Sequence, residues 1–209
     1  MFKYVLALVG LSVSLSVNAA VISSASHLAL NNATLIDFNS PAEYEYPDAF
    51  ELNRIYSDIT IDEVTFTSNN GVSIFYWEYL DVNSLYGVNG SYLNGYNSNQ
   101  YSYIFSETVN AFGFSIGALD ETYLLSAFDV NGSLIESVTV NPAYLQYVGL
   151  TSSGIKTATF TQLSTTHYAA DTIMIEDFRY QASAVPIPAA AWLFSTALLG
   201  LAGVKRRHR

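Results

Sequence analysis

The sequence predicts an all-β protein: an antiparallel β-sandwich, jelly-roll-like in its succession of short strands, followed by a single C-terminal transmembrane helix. Three observations lead there. Half of the residues are hydrophobic, with 16 Tyr and 12 Phe, and only 12% are charged. Aromatic and β-branched side chains suit a pleated, half-buried surface. Short apolar or alternating runs recur along the chain, separated by Asn, Gly, Asp and Ser, and no helical period of useful length appears before the last segment.

The runs that read as strands are Ala33 to Phe38, Ile59 to Thr67, Val72 to Trp77, Tyr101 to Phe105, Val109 to Ile116, Tyr123 to Val130, Ser133 to Val140, Ile155 to Gln162 and Thr172 to Tyr180. Asn70-Gly71 and Asn131-Gly132 read as hairpin turns. A type I′ turn needs positive φ at both central residues, which Asn and Gly tolerate. Within Val109 to Ile116, Phe112, Phe114 and Ile116 fall on one face with period two, which marks them as core.

The two ends differ from the body. Lys3 precedes an apolar stretch from Tyr4 to Val17, and Val17-Asn18-Ala19 offers modest residues before a cleavage point. This is the three-part layout of a secretory signal over residues 1–19, cut after Ala19 by signal peptidase; the alternative is a permanent N-terminal anchor, for which the apolar run is short. At the other end, residues 184–209 carry Val185-Pro186-Ile187-Pro188, an apolar run from Ala189 to Val204, and Lys205-Arg206-Arg207-His208-Arg209. The run of 16 residues makes roughly 24 Å of helix. That is slightly short for a hydrocarbon core of about 30 Å, so spanning requires thinning or snorkelling. The basic end stays cytoplasmic by the positive-inside rule, and the body lies outside. Pro186 and Pro188 keep the segment before the helix extended. An extended peptide at the membrane surface suits a protease, although a Pro-flanked tail anchor would read the same way.

Val185, Pro186, Pro188, Ala189, Ala190, Trp192, Leu193, Gly200, Leu201, Gly203, Arg206 and Arg207 together resemble the PEP-CTERM sorting signal in its Val-Pro-Leu-Pro-Ala variant. Ile187 departs from the Leu of that variant and the Glu of the commonest form, and the basic end is mixed. The resemblance implies processing by an exosortase, an intermediate tethered in the inner membrane, and delivery to the cell surface or extracellular matrix of a Gram-negative bacterium. It covers only the tail. More diffusely, Val109 to Phe114, Asp129 to Leu134, Phe160 and Ile175 to Phe178 resemble the β-sandwich bodies of such proteins, which look similar in outline to carbohydrate-binding jelly rolls.

Residues 20–183 form the body. They hold three basic residues, Arg54, Lys156 and Arg179, against all 18 Asp and Glu, a formal charge of −15. A phosphate backbone would be repelled, which argues against nucleic acid. The chain has no cysteine, which excludes a disulfide scaffold, a thiol nucleophile and a Cys-based zinc site. His27 and His167 are the only body histidines, and no nucleophile elbow, metalloprotease helix or phosphate loop is present. Asp62-Glu63 and Asp120-Glu121 are chain neighbours that point to opposite faces of a strand, a poor acid–base pair. No catalytic residue is assigned.

The most distinctive body segment runs from Phe75 to Tyr103, and its Gly-Asn-Ser-rich centre reads as a long loop. It interleaves Trp77, Tyr79, Tyr86, Tyr92 and Tyr96 with Asn94, Asn97 and other amides. Aromatic faces stack on sugar rings, and amides both donate to and accept from hydroxyls. A β domain with Tyr-rich strand edges would look similar. Jelly-roll domains of this outline also imply a structural Ca²⁺ between first and last strands, for which Asp37 and Asp177 are the candidate oxygen ligands; the alternative is two solvated carboxylates. The expected function is that of an exported, non-catalytic surface or matrix protein that binds extracellular polysaccharide. A secreted hydrolase of unrecognised type and a purely structural coat or adhesin protein are the alternatives.

Overall fold

A computed structural model describes residues 20–38, 54–75, 91–95, 98–163 and 173–183. Within them the chain is almost entirely strand: β1 (Ala20–Ile22), β2 (Thr34–Ile36), β3 (Tyr56–Ile61), β4 (Val64–Phe75), β5 (Tyr92–Gly95), β6 (Gln100–Leu119), β7 (Tyr123–Phe128), β8 (Leu134–Val140), β9 (Ala143–Gln162) and β10 (Met174–Ala182). A single 3₁₀ turn at Leu28–Leu30 is capped by His27, whose Nδ1 accepts from the Ala29 amide at 3.2 Å. Every pairing is antiparallel.

The ten strands are joined in one continuous antiparallel sheet, and three long strands each run through both of its halves, called the first and second sheets. Residues Val64–Ser68 of β4 pair with Phe105–Tyr101 of β6, whereas Val72–Phe75 pair with β5. In β6 and β9 the register breaks between Ile104 and Val109 and again between Val109 and Ala111. The strands bend there, as bulges bend strands. Gly154 (φ +77°) sits in the bulged part of β9, and Lys156 Nζ donates to the Ser106 carbonyl across it. The first sheet therefore runs β3–β4–β6–β9–β7–β8, and the second runs β4–β5–β10–β6–β9–β1 with β2 alongside β10.

The bends fold the two sheets face to face, so the molecule is an antiparallel sandwich. Its core is a layer of rings from both sheets. Phe66 meets Phe178 at 5.1 Å and 82°, Phe114 meets Phe160 at 5.8 Å and 88°, and Phe114 stacks on Phe178 at 5.7 Å and 8°. Edge and offset pairs of this kind add about 0.5–1.5 kcal/mol each beyond area burial. Ile74, Leu93, Ile175 and Ile116 form one inward row across four strands of the second sheet, each fully buried. Phe112, Phe114 and Ile116 share the inward face as the period-two pattern required.

Several strand expectations change. Asn70-Gly71 is not a hairpin turn: β4 continues through it, and Gly71 (φ +92°) forms a bulge. The hairpin lies eight residues earlier. Ile61 pairs with Val64, so Asp62 and Glu63 are the turn inside the run read as one strand, with Asp62 at φ +50°. Asn131-Gly132 does close a hairpin, but not by a type I′ turn. Gly132 is left-handed at φ +77° and donates to the Asp129 carbonyl at 3.0 Å, while the Asp129 carboxylate accepts from the Asn131 and Ser133 amides at 2.8 Å each. Tyr101–Phe105 and Val109–Ile116 are one strand, β9 begins twelve residues before the expected start, and Tyr92–Gly95 is strand rather than loop.

Candidate functional site

The bulge in β4 builds a hollow at the rim of the sandwich. Thr67 pairs with Asp58 and Val72 with Tyr56, so residues 68–71 of β4 stand opposite the single residue Ser57. The excess backbone is held by side chains. Ser68 Oγ donates to the Gly71 carbonyl at 2.6 Å, and its hydroxyl lies 2.6 Å from that of Ser98. Asn69 Nδ2 donates to Asn99 Oδ1 at 2.9 Å, and Asn69 Oδ1 accepts from the Gln100 amide at 3.3 Å. A Cβ at Gly71 would fall 2.6 Å from the Tyr56 carbonyl oxygen, so only glycine lets β3 and β4 approach so closely.

The hollow measures about 430 Å³ and is lined by Ile55, Tyr56, Ser57, Ser68, Asn69 and Asn70, with Gly71. The Arg54 guanidinium lies 5.6 Å from the centre of the Tyr56 ring, within cation–π range. Among these lining residues none is charged. The hollow offers amides, hydroxyls and one aromatic ring, a set that both donates and accepts without a net charge.

The glycan candidates from the sequence fall into two groups. Tyr92 and Asn94 belong to β5 and are 2% and 5% exposed. Tyr92 packs against Ala118 and Met174, and burial pushes its phenol up to about 12. Asn94 Nδ2 donates to the Ile173 carbonyl at 3.1 Å. Both serve the strand and its packing, and Tyr92 has no open ring face on which a sugar could stack. Trp77, Tyr79, Tyr86, Tyr96 and Asn97 lie outside the described residues. The segment that holds Trp77 to Tyr86 is bracketed by Phe75 and Tyr92, which pair as strand neighbours, and β4 leads from the hollow to Phe75.

Asp37 and Asp177 come to adjacent strands, because Ile36 of β2 pairs with Phe178 of β10. Both are half-buried, and Asp177 takes a left-handed φ of +46° at a register shift in β10. Two carboxylates are fewer ligands than Ca²⁺ takes. Among the described residues no group of three or more His, Asp or Glu gathers as a metal centre. Ala19 and His167 lie outside the described residues. So do the sorting-signal residues Val185, Pro186, Ile187, Pro188, Trp192, Lys205, Arg206, Arg207 and Arg209, together with the expected helix 189–204. Among the described residues no helix is long and apolar enough to cross a membrane.

The rim hollow was not foreseen. The available signal was Ser68-Asn69-Asn70-Gly71 embedded in an otherwise continuous strand pattern, which reads as a bulge as readily as a turn.

No protein-family model matches the chain, and no curated protein matches it. Solved structures similar in fold include TmCBM61 in complex with β-1,4-galactotriose, at TM-score 0.38 and 14% identity over 57% of this chain and 88% of that one. The CBM22-1 xylan-binding domain of Xyn10C from Paenibacillus barcinonensis matches at 0.33 and 12%, over 57% of this chain and 86% of that one. The enzymatically active domain of bacteriophage CBA120 tailspike protein 4 matches at 0.33 and 13%, over 57% of this chain and 19% of that one. At TM-scores below 0.5, no property of those proteins transfers to this one.

Proposed function

We propose that this chain is an exported, non-catalytic surface or matrix protein whose sandwich body, jelly-roll-like in outline, binds extracellular polysaccharide and whose tail directs its sorting. The single observation that carries the binding is the rim hollow: an uncharged concavity of about 430 Å³ lined by Tyr56, Ser57, Asn69 and Asn70. Polysaccharide hydroxyls donate and accept in equal measure, and amides and hydroxyls meet both demands. The body's formal charge of −15 favours a neutral polymer over an anionic one.

Export rests on the two ends. A three-part leader, a Pro-x-Pro peptide, a short apolar helix from Ala189 to Val204 and a basic terminus are the parts of an exported chain held in the inner membrane until an exosortase releases it. The test joins both halves. Protein recovered from the surface of the producing cell is expected to begin at Ala20 and to lack Trp192 through Arg209, by N-terminal sequencing and intact mass. That protein is expected to be retained by neutral polysaccharide without releasing reducing ends. A product that starts at Met1, still carries Arg209, or passes through every polysaccharide unretarded would refute the corresponding half.

A further inference from the structure

The rim hollow adjoins a broad surface, the outer face of the first sheet. The inner face of that sheet is core, where Phe66, Tyr103, Ala158 and Ala127 are buried. Their neighbours along each strand therefore point outward. The register sets these outward residues in rows, one residue per strand. One row is Asp58, Thr67, Ser102, Thr159, Ser126 and Ser137, from β3 to β8. The next is Thr60, Thr65, Ile104, Thr157, Phe128 and Leu134.

Both rows reach solvent. Ile104 is 40% and Leu134 59% exposed, and Thr65, Thr67, Ser102, Thr157 and Thr159 are half-buried, shaded only by standing side by side. Ser126, 4% exposed, lies deepest. The rows differ in chemistry. The first is hydroxyl throughout except for Asp58 at its β3 end. The second sets Ile104, Phe128 and Leu134 among threonines. Of the described acidic residues only Asp58 falls in either row, and no described basic residue does. In a body of formal charge −15 this is a neutral face.

The hollow opens onto this face. Thr67 Oγ1 donates to the Ser57 carbonyl at 3.1 Å, which ties the wall of the hollow to the start of the hydroxyl row. Asn69, also in that wall, is bound to Asn99 and to the Gln100 amide at the head of β6.

A sugar ring has a hydroxyl rim and an apolar C–H face. Laid across the strands, its hydroxyls exchange hydrogen bonds with the first row, and its C–H groups rest on Ile104, Phe128 and Leu134. Adjacent strands stand ~4.8 Å apart, close to the rise per ring of an extended polysaccharide, so each strand meets one ring. Six strands make a row of about 24 Å, room for several rings. A coiled polymer keeps no such register. The sheet also twists by about 20–25° per strand, which a single chain in solution can follow and a rigid crystalline fibre cannot.

We propose that the rim hollow and the outer face of the first sheet form one continuous site for an internal stretch of an extended, neutral polysaccharide, taken one ring per strand from β3 towards β8. This rests on the polysaccharide-binding reading of the hollow and adds the length and conformation of the chain. An anionic chain would meet Asp58 where hollow and face join. An apolar ligand would strip water from the hydroxyl row and return no hydrogen bonds. A peptide adding as a strand needs a sheet edge, and these rows cross the middle of a sheet.

The test uses the mature exported protein. Affinity electrophoresis compares extended neutral polymers (xylan, hydroxyethylcellulose, glucomannan) with coiled dextran, and calorimetry follows oligosaccharides of the retarding polymer from dimer to hexamer. Retardation by an extended polymer and not by dextran is expected, with affinity rising along the ladder and no depletion by microcrystalline cellulose. Ser102→Ala and Thr159→Val should each weaken hexamer binding about two- to tenfold, the worth of one hydrogen bond, and leave the dimer, held at the hollow, unchanged. Thr159→Ser keeps the hydroxyl and should bind like the unaltered protein. Asn70→Ala in the hollow should weaken dimer and hexamer alike. Melting temperatures should hold in the three face variants, whose changes are on the solvent side. Affinity independent of length, equal retardation by dextran, depletion by crystalline cellulose, or face variants that match the unaltered protein would overturn this inference while binding at the hollow stands. Thr159→Ser as weak as Thr159→Val would also overturn it, since the hydroxyl would then not be the binding group. If no neutral polymer retards the unaltered protein, both readings fall.

Discussion

Asp129 shows how one exposed side chain can order a turn. Its carboxylate accepts from the Ser133 and Asn131 amides, and these bonds hold its carboxyl below the usual aspartate range, the Ser133 amide contributing most. A carboxyl depressed on folding adds stability that is present above its unfolded pKa of about 4 and lost as pH falls through the folded value. Asp129→Ala is therefore expected to lower the melting temperature at pH 7. The gap from the unaltered protein should close as the pH drops below about 4. Melts of both proteins from pH 7 to pH 2 check this; a gap independent of pH would show that the carboxylate charge is irrelevant. The buried phenols show the opposite effect. Tyr103 sits in the core with its hydroxyl unpartnered, and burial drives its ionisation well above the ordinary range.

At the scale of the element, glycines decide where strands bend and how closely they meet. Gly149 of β9 pairs with Gly113 of β6, and a Cβ at Gly149 would overlap the Phe112 carbonyl oxygen and fall 2.6 Å from Gly113 Cα. Gly132 has open space around it and differs only in its φ of +77°. The two substitutions should therefore separate steric from conformational cost. Gly132→Ala is expected to cost about 1 kcal/mol, the strain of a left-handed L-residue. Gly149→Ala should cost about 3 kcal/mol or more, since backbone must move. Urea midpoints at constant slope measure both, and equal costs would mean that β6 and β9 can separate freely. Gly71 combines the two effects, which is why Asn70-Gly71 makes a bulge and not a hairpin: β4 must remain paired on both sides of it, first with β6 and then with β5.

At the scale of the molecule, electrostatics and topology oppose one another. A body of formal charge −15 repels itself, and among the described basic residues Lys156 is spent on a backbone carbonyl and Arg54 faces a ring. The ring-filled core holds the two sheets together against that repulsion. Raising the salt from 10 mM to 150 mM shortens the screening length from about 30 Å to about 8 Å. The melting temperature of the mature protein is expected to rise with it at pH 7. The rise should fade near pH 4, where carboxylates begin to protonate. A melt insensitive to salt at pH 7 would show that the charges are too dispersed to matter.

The strand-rich class, the inward set Phe112, Phe114 and Ile116, and the Asn131-Gly132 hairpin were legible because they depend on local alternation and turn chemistry. The small set Ala111, Gly113, Ser115 and Gly117 of β6 was equally visible, but its meaning was not, since only the neighbours of β6 show that Leu30 packs on Ala111 and Tyr147 lies against Gly113. Those neighbours are distant in sequence: β9 begins 24 residues and β10 55 residues after β6 ends. The same holds for Tyr92 and Asn94. Their residue types suit a glycan, yet Tyr92 is buried against Ala118 and Met174, and Asn94 is held by the Ile173 carbonyl. Local sequence determined which segments extend, where charge is scarce and how the two ends are marked. Tertiary structure alone decided that β4, β6 and β9 bend to serve both sheets, because a bend is worth its lost ladder bonds only when two apolar faces close on each other across it.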